Sequence, residues 1–161
     1  DVALINGGGI RGNRLYNAGM TLTRRDILKE MPFGNVGVLL ALSGADLLTA
    51  LEHGVSQVEA KAGRFPQVSG LRFVYNPGKP AGSRVVAVQV GGKPLDPTAT
   101  YRVATNDYMF KGGDGYSSLS KGKALIDPSG GTLLATTVME YIAAQGSVAP
   151  QVEGRIVARR E

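Results

Sequence analysis

The segment Tyr101–Ser117, with the sequence YRVATNDYMFKGGDGYS, constrains the fold most strongly because it joins a strand pattern to a glycine-rich loop. Tyr101, Val103 and Thr105 alternate with Arg102, Ala104 and Asn106. This period of two predicts a half-buried strand that stops near Asn106. The glycines around Asp114 admit left-handed and tight conformations that residues with a Cβ disfavour. This loop can therefore hold a carboxylate close to a ligand.

Tyr108 adds an aromatic face at the start of the same loop. A stacking surface and a hydrogen-bond acceptor in one short segment suit a nucleoside, which presents a flat base and ribose hydroxyls. The alternative is that the GGDG sequence is only a turn between two elements, as it is in most proteins. A second segment is needed to decide between the two interpretations.

A length of 161 residues, 43% of them hydrophobic, predicts one domain with a substantial core, which we assign to residues 1–161. The net charge of +5 comes from scattered basic residues whose tight pairs are Arg24-Arg25 and Arg159-Arg160. No basic stripe is visible, and the aromatic residues, 6% of the chain, are not interleaved with a basic run. This pattern argues against nucleic acid as the partner.

Cysteine does not occur in the sequence, and His53 is the single histidine. A lone imidazole without other candidate ligands at metal spacing is interpreted as a surface or packing residue, so we predict no metal site in this chain. No apolar run approaches the ~20 residues that span a bilayer, and no signal peptide precedes Asp1. Because the chain opens inside a predicted strand, we expect it to be a fragment.

The remaining patterns mix strands with helices. Strands are predicted at 2–5, 35–43, 70–75, 84–90, 101–106 and 152–158, loops at 57–66 and 77–82, and a hairpin turn at 91–93. Helices are predicted after the capping residues Thr23 and Ser43 and over 132–145. The apolar face of the last helix comprises Leu134, Val138, Tyr141 and Ile142. Without regular βαβ alternation, these elements predict an α+β fold with mixed or antiparallel sheets.

Gly7, Gly9 and Gly12 satisfy the G-x-G-x-x-G spacing of a dinucleotide-binding turn after the first strand. That turn needs a helix that opens at the last glycine, whereas residues 12–19 have no helical periodicity. We therefore predict a loop that carries Asn6 and Arg11.

Four motifs follow one another along the chain. They are Asn6-Gly7-Gly8-Gly9-Ile10-Arg11, Pro32-Phe33-Gly34-Asn35, Gly112-Gly113-Asp114-Gly115-Tyr116 and Val152-Glu153-Gly154-Arg155-Ile156. In this order they resemble the C-terminal domain of the 5'-nucleotidase family, which also includes UDP-sugar hydrolases and 2',3'-cyclic-nucleotide phosphodiesterases. The resemblance runs over nearly the whole chain, and it implies helices that flank two sheets.

The resemblance also implies a nucleotide site. The family's paired aromatic residues correspond to Phe33 and Tyr108, which would stack on the base, and its ribose-binding carboxylate corresponds to Asp114. Its loop asparagine and arginine correspond to Asn6 and Arg11. The planar guanidinium of Arg11 would face phosphate or ribose oxygens.

Asn35 offers an amide donor and a carbonyl acceptor, so it would add base discrimination. The family commonly has phenylalanine at the position of Tyr108, and the extra hydroxyl leaves the substrate preference open. The alternative for Phe33 is a core residue, which is the usual fate of an aromatic after a helix. The loops would be shaped by Gly8, Gly9, Gly34, Gly112, Gly113 and Gly115.

For the whole protein, the resemblance implies a metal-dependent phosphohydrolase that converts a nucleoside monophosphate to nucleoside and phosphate. Its two divalent metal ions and its catalytic residues would belong to an N-terminal metallophosphoesterase domain outside this chain. This chain would then be the substrate-specificity domain, inactive alone and without catalytic residues. A periplasmic, cell-surface or secreted protein is expected from the same resemblance.

Three alternatives stay open at this point. The chain could be a non-catalytic module that binds a nucleotide or nucleoside, or the whole enzyme could act on UDP-sugars or 2',3'-cyclic nucleotides. A basic nucleic-acid binder would instead show strongly salt-dependent association with oligonucleotides, far above that with mononucleotides.

Overall fold

The computed structural model describes residues 1–160. Its strands are β1 (Val2–Asn6), β2 (Gly37–Ser43), β3 (Pro66–Ser69), β4 (Leu71–Tyr75), β5 (Val85–Val90), β6 (Lys93–Pro94), β7 (Thr100–Asn106), β8 (Lys123–Ile126) and β9 (Ile156–Ala158). Its α-helices are α1 (Arg24–Glu30), α2 (Gly44–Gly54), α3 (Asp107–Phe110) and α4 (Leu134–Gln145). Short 3-10 turns cover Gly7–Gly9, Gly113–Gly115 and Leu119–Lys121. The predicted α+β class is confirmed.

The strands form two mixed sheets. The first has the order β3-β1-β7-β2-β8, in which β1 and β7 are parallel and the other neighbours are antiparallel. The second has the order β6-β5-β4-β9, in which β4 and β9 are parallel. Because β1 and β7 run in the same direction, Asn6 and Asn106 end their strands at the same edge of the first sheet. The antiparallel β2 begins at that edge, where Gly37 pairs with Asn106.

One hydrophobic core unites both sheets with helix α2. Leu4, Leu40 and Val103 supply it from the first sheet, and Phe73 supplies it from the second. On α2, Leu47 is completely buried in this core. Each completely buried leucine stabilises the folded state by about 1.5–3 kcal/mol relative to an exposed leucine. The core therefore holds the first sheet in place, including the edge on which the polar residues lie.

The two predicted helix starts are confirmed. The Thr23 hydroxyl accepts from the backbone N–H of Asp26, and the Asp26 carboxylate accepts in return from the Thr23 N–H, which completes a capping box. Ser43 caps α2 by accepting from the Asp46 N–H at 3.1 Å. Each cap satisfies amide groups that the first turn of a helix leaves without partners.

Two edge strands of the first sheet escaped prediction. Strand β3 begins at Pro66, which the sequence assigned to a loop, and it pairs antiparallel with β1. Proline is tolerated there because it is the first residue of an edge strand. Strand β8 is the other edge and pairs with β2 through a bulge near Leu39. Both strands are only four residues long, which leaves too few residues for a period-two pattern to stand out.

The predicted apolar face of α4 is only partly correct. Leu134, Val138 and Ile142 are half-buried, but Tyr141 is 62% exposed. The final strand begins at Ile156, later than predicted, and Val152 before it is fully exposed. Among residues 1–160, no helix has the length and the apolar composition that crossing a bilayer requires.

Candidate functional site

A chain of side-chain hydrogen bonds begins at the shared edge of β1 and β7. Asn106 donates from Nδ2 to Oδ1 of Asn6 at 3.1 Å, and Asn6 donates from its own Nδ2 to Oδ2 of Asp114 at 2.8 Å. Both asparagines are buried. Because buried amides must be paired, these two hydrogen bonds fix the direction in which Asn6 presents its donor. The Asp114 carboxylate is therefore tied to the first sheet.

Three further hydrogen bonds, with Tyr108 and His53, hold Asp114. The Tyr108 hydroxyl donates to Oδ1 at 2.8 Å and accepts from the Asp114 backbone N–H at 3.0 Å. The Asp114 backbone carbonyl lies 2.7 Å from Nε2 of His53. A carbonyl oxygen only accepts, so His53 donates this hydrogen bond and Nε2 carries the proton. These contacts stabilise the left-handed conformation of Asp114, whose φ is 53°.

The glycines around Asp114 meet two separate requirements. Gly112 and Gly115 have φ values of 86°, a region that favours glycine. Gly113 lets the Tyr108 ring approach, since a Cβ there would lie 2.6 Å from the ring carbons. On the opposite loop, a Cβ on Gly8 would lie 3.0 Å from the backbone of Gly63.

The other two glycines assigned to loop shaping differ from each other. Gly34 has a φ of 65°, so its backbone favours glycine although the space beside it is open. Gly9 has neither a positive φ nor a neighbour closer than ordinary van der Waals contact to an added Cβ. The structure therefore shows no local need for glycine at Gly9.

Tyr108 lies on the short helix α3 rather than in the loop where the sequence placed it. Asn106 caps this helix by accepting from the Met109 N–H at 2.7 Å, and Met109 is completely buried. The Tyr108 ring, in contrast, is 43% exposed. The cap and the buried methionine anchor α3 and leave the tyrosine ring partly open to solvent.

Phe33 lies just after the end of α1 and is also exposed to solvent. Its side chain is 57% exposed, so the interpretation of Phe33 as a core residue is wrong. The guanidinium carbon of Arg11 lies 5.3 Å from the centre of the Phe33 ring, within cation–π range. Arg11 also donates from Nε to the Gly8 carbonyl at 2.6 Å, while its two Nη groups have no hydrogen-bond partner among residues 1–160.

The loop that carries Arg11 is attached to the end of α1 by Glu30. The Arg11 N–H donates to the Glu30 carbonyl, and the Gly12 N–H donates to its carboxylate at 3.0 Å. The Tyr16 hydroxyl donates to the same carboxylate at 2.7 Å. Gly12 thus lies in an irregular loop with no helix after it, and the rejection of a dinucleotide-binding turn is confirmed.

Asn35 precedes β2 at the sheet edge described above. Its Nδ2 donates to Oδ1 of Asp107 at 3.1 Å, and its backbone carbonyl accepts from the Leu134 N–H at 2.9 Å. Partial burial raises the pKa of Asp107, but hydrogen bonds from Asn35 and Val36 and the nearby Lys111 ammonium outweigh it and hold the pKa below its ordinary value. Asp107 is therefore an anionic acceptor at neutral pH.

All six side chains singled out in the sequence line one cavity of about 490 Å³. They are Asn6, Arg11, Phe33, Asn35, Tyr108 and Asp114. We call Asn6, Asp114 and the Tyr108 hydroxyl the polar wall of this cavity, and Arg11, Phe33 and the Tyr108 ring the aromatic wall. Its volume falls in the range of small-molecule pockets, about 300–1,000 Å³.

Three residues that hold the site were missed by the sequence interpretation. His53 fixes the Asp114 backbone, Asn106 fixes Asn6, and Asp107 fixes Asn35. Asn106 and Asp107 lie at the predicted end of the central strand, so their position was available from the sequence although their partners were not. Within residues 1–160, no three His, Asp or Glu side chains come together in a way that could hold a metal ion.

Comparisons with known protein families, sequences and structures all point to the same family. Residues 1–121 match the family described as 5'-nucleotidase, C-terminal domain. The chain belongs to this family. It is 37% identical over 96% of its length to the trifunctional nucleotide phosphoesterase protein YfkN of Bacillus subtilis, and 36% identical over 97% to a snake venom 5'-nucleotidase of Gloydius brevicauda.

The structure of a 5'-nucleotidase precursor from Thermus thermophilus superposes with a TM-score of 0.90 at 42% identity, covering 99% of this chain. The C-terminal domain fold and the family resemblance are thus confirmed. The chain spans 11% of the Bacillus protein, 28% of the venom enzyme and 32% of the Thermus chain. It therefore corresponds to a minor part of each of these relatives.

Proposed function

We propose that this chain is the substrate-specificity domain of a metal-dependent nucleotide phosphohydrolase and binds a nucleoside monophosphate in the cavity between the polar and aromatic walls. The observation that carries the proposal is the convergence of all six predicted side chains on that one cavity, although they come from segments far apart in the sequence. Chance convergence of an aromatic pair, a carboxylate, an arginine and two amides is a poor explanation for this arrangement.

The base would bind beside the exposed rings of Phe33 and Tyr108. Stacking on an aromatic ring contributes about 1–3 kcal/mol per base in proteins that bind single strands. Because Arg11 lies over the Phe33 ring, a base that stacks on the same face of this ring would displace the guanidinium. Its free Nη groups could then turn toward phosphate or ribose oxygens.

The ribose hydroxyls would donate to Asp114. An ionised carboxylate has about four acceptor positions, and Asn6 and Tyr108 use one on each oxygen. One position on each oxygen therefore remains for a ligand, which matches the two hydroxyls of a cis-diol. Since Asn6, Tyr108 and His53 already hold Asp114, little ordering is needed when the ribose binds.

Hydrolysis would take place at a metallophosphoesterase domain that precedes this chain in the whole protein and holds two divalent metal ions. The described residues of this chain, 1–160, do not form a metal cluster, so their part in the reaction would be to bind and orient the nucleotide. A location outside the cytoplasm, in the periplasm, at the cell surface or in secretions, fits relatives that are named as venom enzymes.

The test is a calorimetric titration of this chain with AMP, 2'-deoxy-AMP, ribose 5-phosphate and a single-stranded oligonucleotide, at two salt concentrations. We expect AMP to bind more tightly than the two analogues and the chain alone to hydrolyse none of them with added Mg²⁺ or Mn²⁺. Absence of AMP binding would overturn the proposal. Tight, salt-dependent binding of the oligonucleotide would favour a nucleic-acid binder.

A substrate panel on the whole protein would address the remaining candidates. Metal-dependent release of phosphate from nucleoside monophosphates supports the proposed enzyme, whereas preferential turnover of a UDP-sugar or a 2',3'-cyclic nucleotide would reassign its substrate. Nucleotide binding without turnover of any of these compounds would identify a non-catalytic binding module.

A further inference from the structure

The orientation of the Asn35 side chain is dictated by its neighbour Asp107. An asparagine amide ends in a donor and an acceptor of nearly equal size, and only the hydrogen-bond partners decide which one faces a given direction. Asp107 accepts at Oδ1 from Nδ2 of Asn35 at 3.1 Å and from the Val36 N–H at 3.2 Å. A carboxylate has no proton to donate, so the NH₂ of Asn35 must be the group that faces it.

Asp107 itself has little freedom to move. It is the first residue of α3, directly after β7, and its backbone N–H donates to the Val36 carbonyl at 3.0 Å. Its second carboxylate oxygen lies 3.4 Å from the Lys111 ammonium. The Val36 N–H and the Lys111 ammonium contact the carboxylate, and the hydrogen bond to the Val36 carbonyl holds the backbone of Asp107. The carboxylate therefore stays beside Asn35 whether or not a ligand is present.

The amide oxygen of Asn35 is consequently the free end. It has no hydrogen-bond partner among residues 1–160, and in that range no side-chain nitrogen or oxygen atom is buried without a partner. The oxygen is therefore reachable from solvent on a residue that lines the cavity with Phe33 and Tyr108. An acceptor beside a stacking surface favours bases whose edge carries an N–H group.

We propose that Asp107 is a positioning residue that fixes Asn35 as a hydrogen-bond acceptor, so that the site selects bases with an N–H donor on the edge that faces Asn35. This inference rests on the proposed nucleotide site. It assigns adenine, through its exocyclic amine, as a preferred type of base over a purine of the same size that lacks the amine. Stacking alone would bind the two purines nearly equally.

The matched probes are AMP and purine riboside 5'-monophosphate, which differ only in the 6-amino group. We expect the wild-type chain to bind AMP about 2- to 10-fold more tightly, the ratio that one neutral hydrogen bond supports. Asp107→Ala removes the acceptor that faces the Asn35 amide, so this amide becomes free to rotate by 180°. That variant should bring the ratio close to 1 by weakening the binding of AMP.

Asp127→Ala is the control, because it makes the same change at an exposed carboxylate that also accepts a backbone N–H, from Ser129 at 2.7 Å, and that does not line the cavity. It should keep the wild-type ratio. If Asp107→Ala fails to fold, Asn35→Ala provides the second variant, and it should bind both nucleotides equally.

The outcomes separate this inference from the proposed function. Failure of the wild-type chain to bind either nucleotide would overturn both. Binding of both nucleotides without preference for AMP, or a ratio that survives in Asp107→Ala, would overturn only the role of Asp107 and Asn35. A preference for purine riboside 5'-monophosphate would overturn it as well, because the amide would then face the base with its donor end.

Discussion

The two walls of the cavity are held in different ways. In the polar wall, Asn6 and Asp114 are linked to each other, and both carboxylate oxygens of Asp114 already accept hydrogen bonds. In the aromatic wall, Phe33 is more than half exposed, and the group that lies over its ring is the Arg11 guanidinium. One wall is a network anchored at strand ends, and the other is formed by exposed side chains beside solvent.

This difference separates two recognition tasks. A fixed acceptor suits the ribose, whose hydroxyls have the same geometry in every ribonucleotide, because preorganisation lowers the entropic cost of binding. An exposed ring suits the base, since stacking tolerates any base. We therefore expect changes in the polar wall to alter ribose discrimination, and changes in the aromatic wall to alter base affinity without affecting stability.

The largest effect is expected from Asp114→Asn. Hydrogen bonds to charged groups contribute about 1.5–3 kcal/mol each, so AMP affinity should fall about 10- to 100-fold. The loss for 2'-deoxy-AMP should be smaller, because one of the two ribose hydroxyls is already missing. Asparagine tolerates the left-handed conformation at φ 53°, so the melting temperature should stay close to that of the wild type. Equal losses for the two nucleotides would remove Asp114 from ribose recognition.

Phe33→Ala tests the aromatic wall. Loss of stacking should weaken AMP binding by about 1–3 kcal/mol, with little change for ribose 5-phosphate, which has no base. The matched control is Phe73→Ala in the core, where the ring is 2% exposed and truncation should cost about 3–5 kcal/mol of unfolding free energy. A melting shift for Phe33→Ala as large as that for Phe73→Ala, with unchanged base preference, would make Phe33 a packing residue.

A smaller effect is expected from His53→Ala, which removes the donor to the Asp114 carbonyl. One neutral hydrogen bond contributes about 0.5–1.5 kcal/mol, so AMP affinity should fall about 2- to 10-fold. His53→Gln retains an N–H donor and should recover part of the affinity, which a general loss of packing against Tyr116 would not predict. If the alanine and glutamine variants bind AMP equally weakly, the hydrogen bond from His53 has no role in holding Asp114.

The smallest effect is expected from Tyr108→Phe, which keeps the ring and removes its hydroxyl. AMP affinity should fall about 2- to 5-fold, because Asp114 keeps its contacts to Asn6 and His53. The measurement is the dissociation constant at neutral pH. Unchanged affinity would show that Asn6 and His53 are sufficient to hold Asp114.

The same substitution also predicts a difference at high pH. The hydrogen bond to Asp114 raises the pKa of Tyr108 above its ordinary value. A group whose pKa is raised in the folded state stabilises the protein fully at pH values below its pKa in the unfolded state, which is about 10 for tyrosine. This stabilisation is lost as the pH rises through the pKa of the group in the folded state. The wild-type chain should therefore lose a stabilising contribution above pH ~10 that Tyr108→Phe never had, which melting curves over that range would detect.

Much of the fold followed from local patterns. The alternation in β7 and the caps at Thr23 and Ser43 predicted elements that the structure contains, because these signals depend on residues within a few positions of one another. Strand β3 was missed because Pro66 is typical of a loop, and only pairing with β1 makes it a strand. Tyr141 was assigned to a buried face because it falls at helical spacing with the apolar residues of α4. In residues 1–160 no element covers it.

The sequence by itself determined which residues are candidates for the site, since the glycine motifs, Phe33, Tyr108 and Asp114 are recognisable from their order along the chain. Only the tertiary structure decided how they are held. His53 donates to a carbonyl 61 positions away, and Asn35 is oriented by a carboxylate 72 positions away. The Asn35 contact arises where β2 and β7 meet at one sheet edge, and the His53 contact arises where the end of α2 reaches the turn that carries Asp114. Local sequence patterns therefore contain no record of either contact.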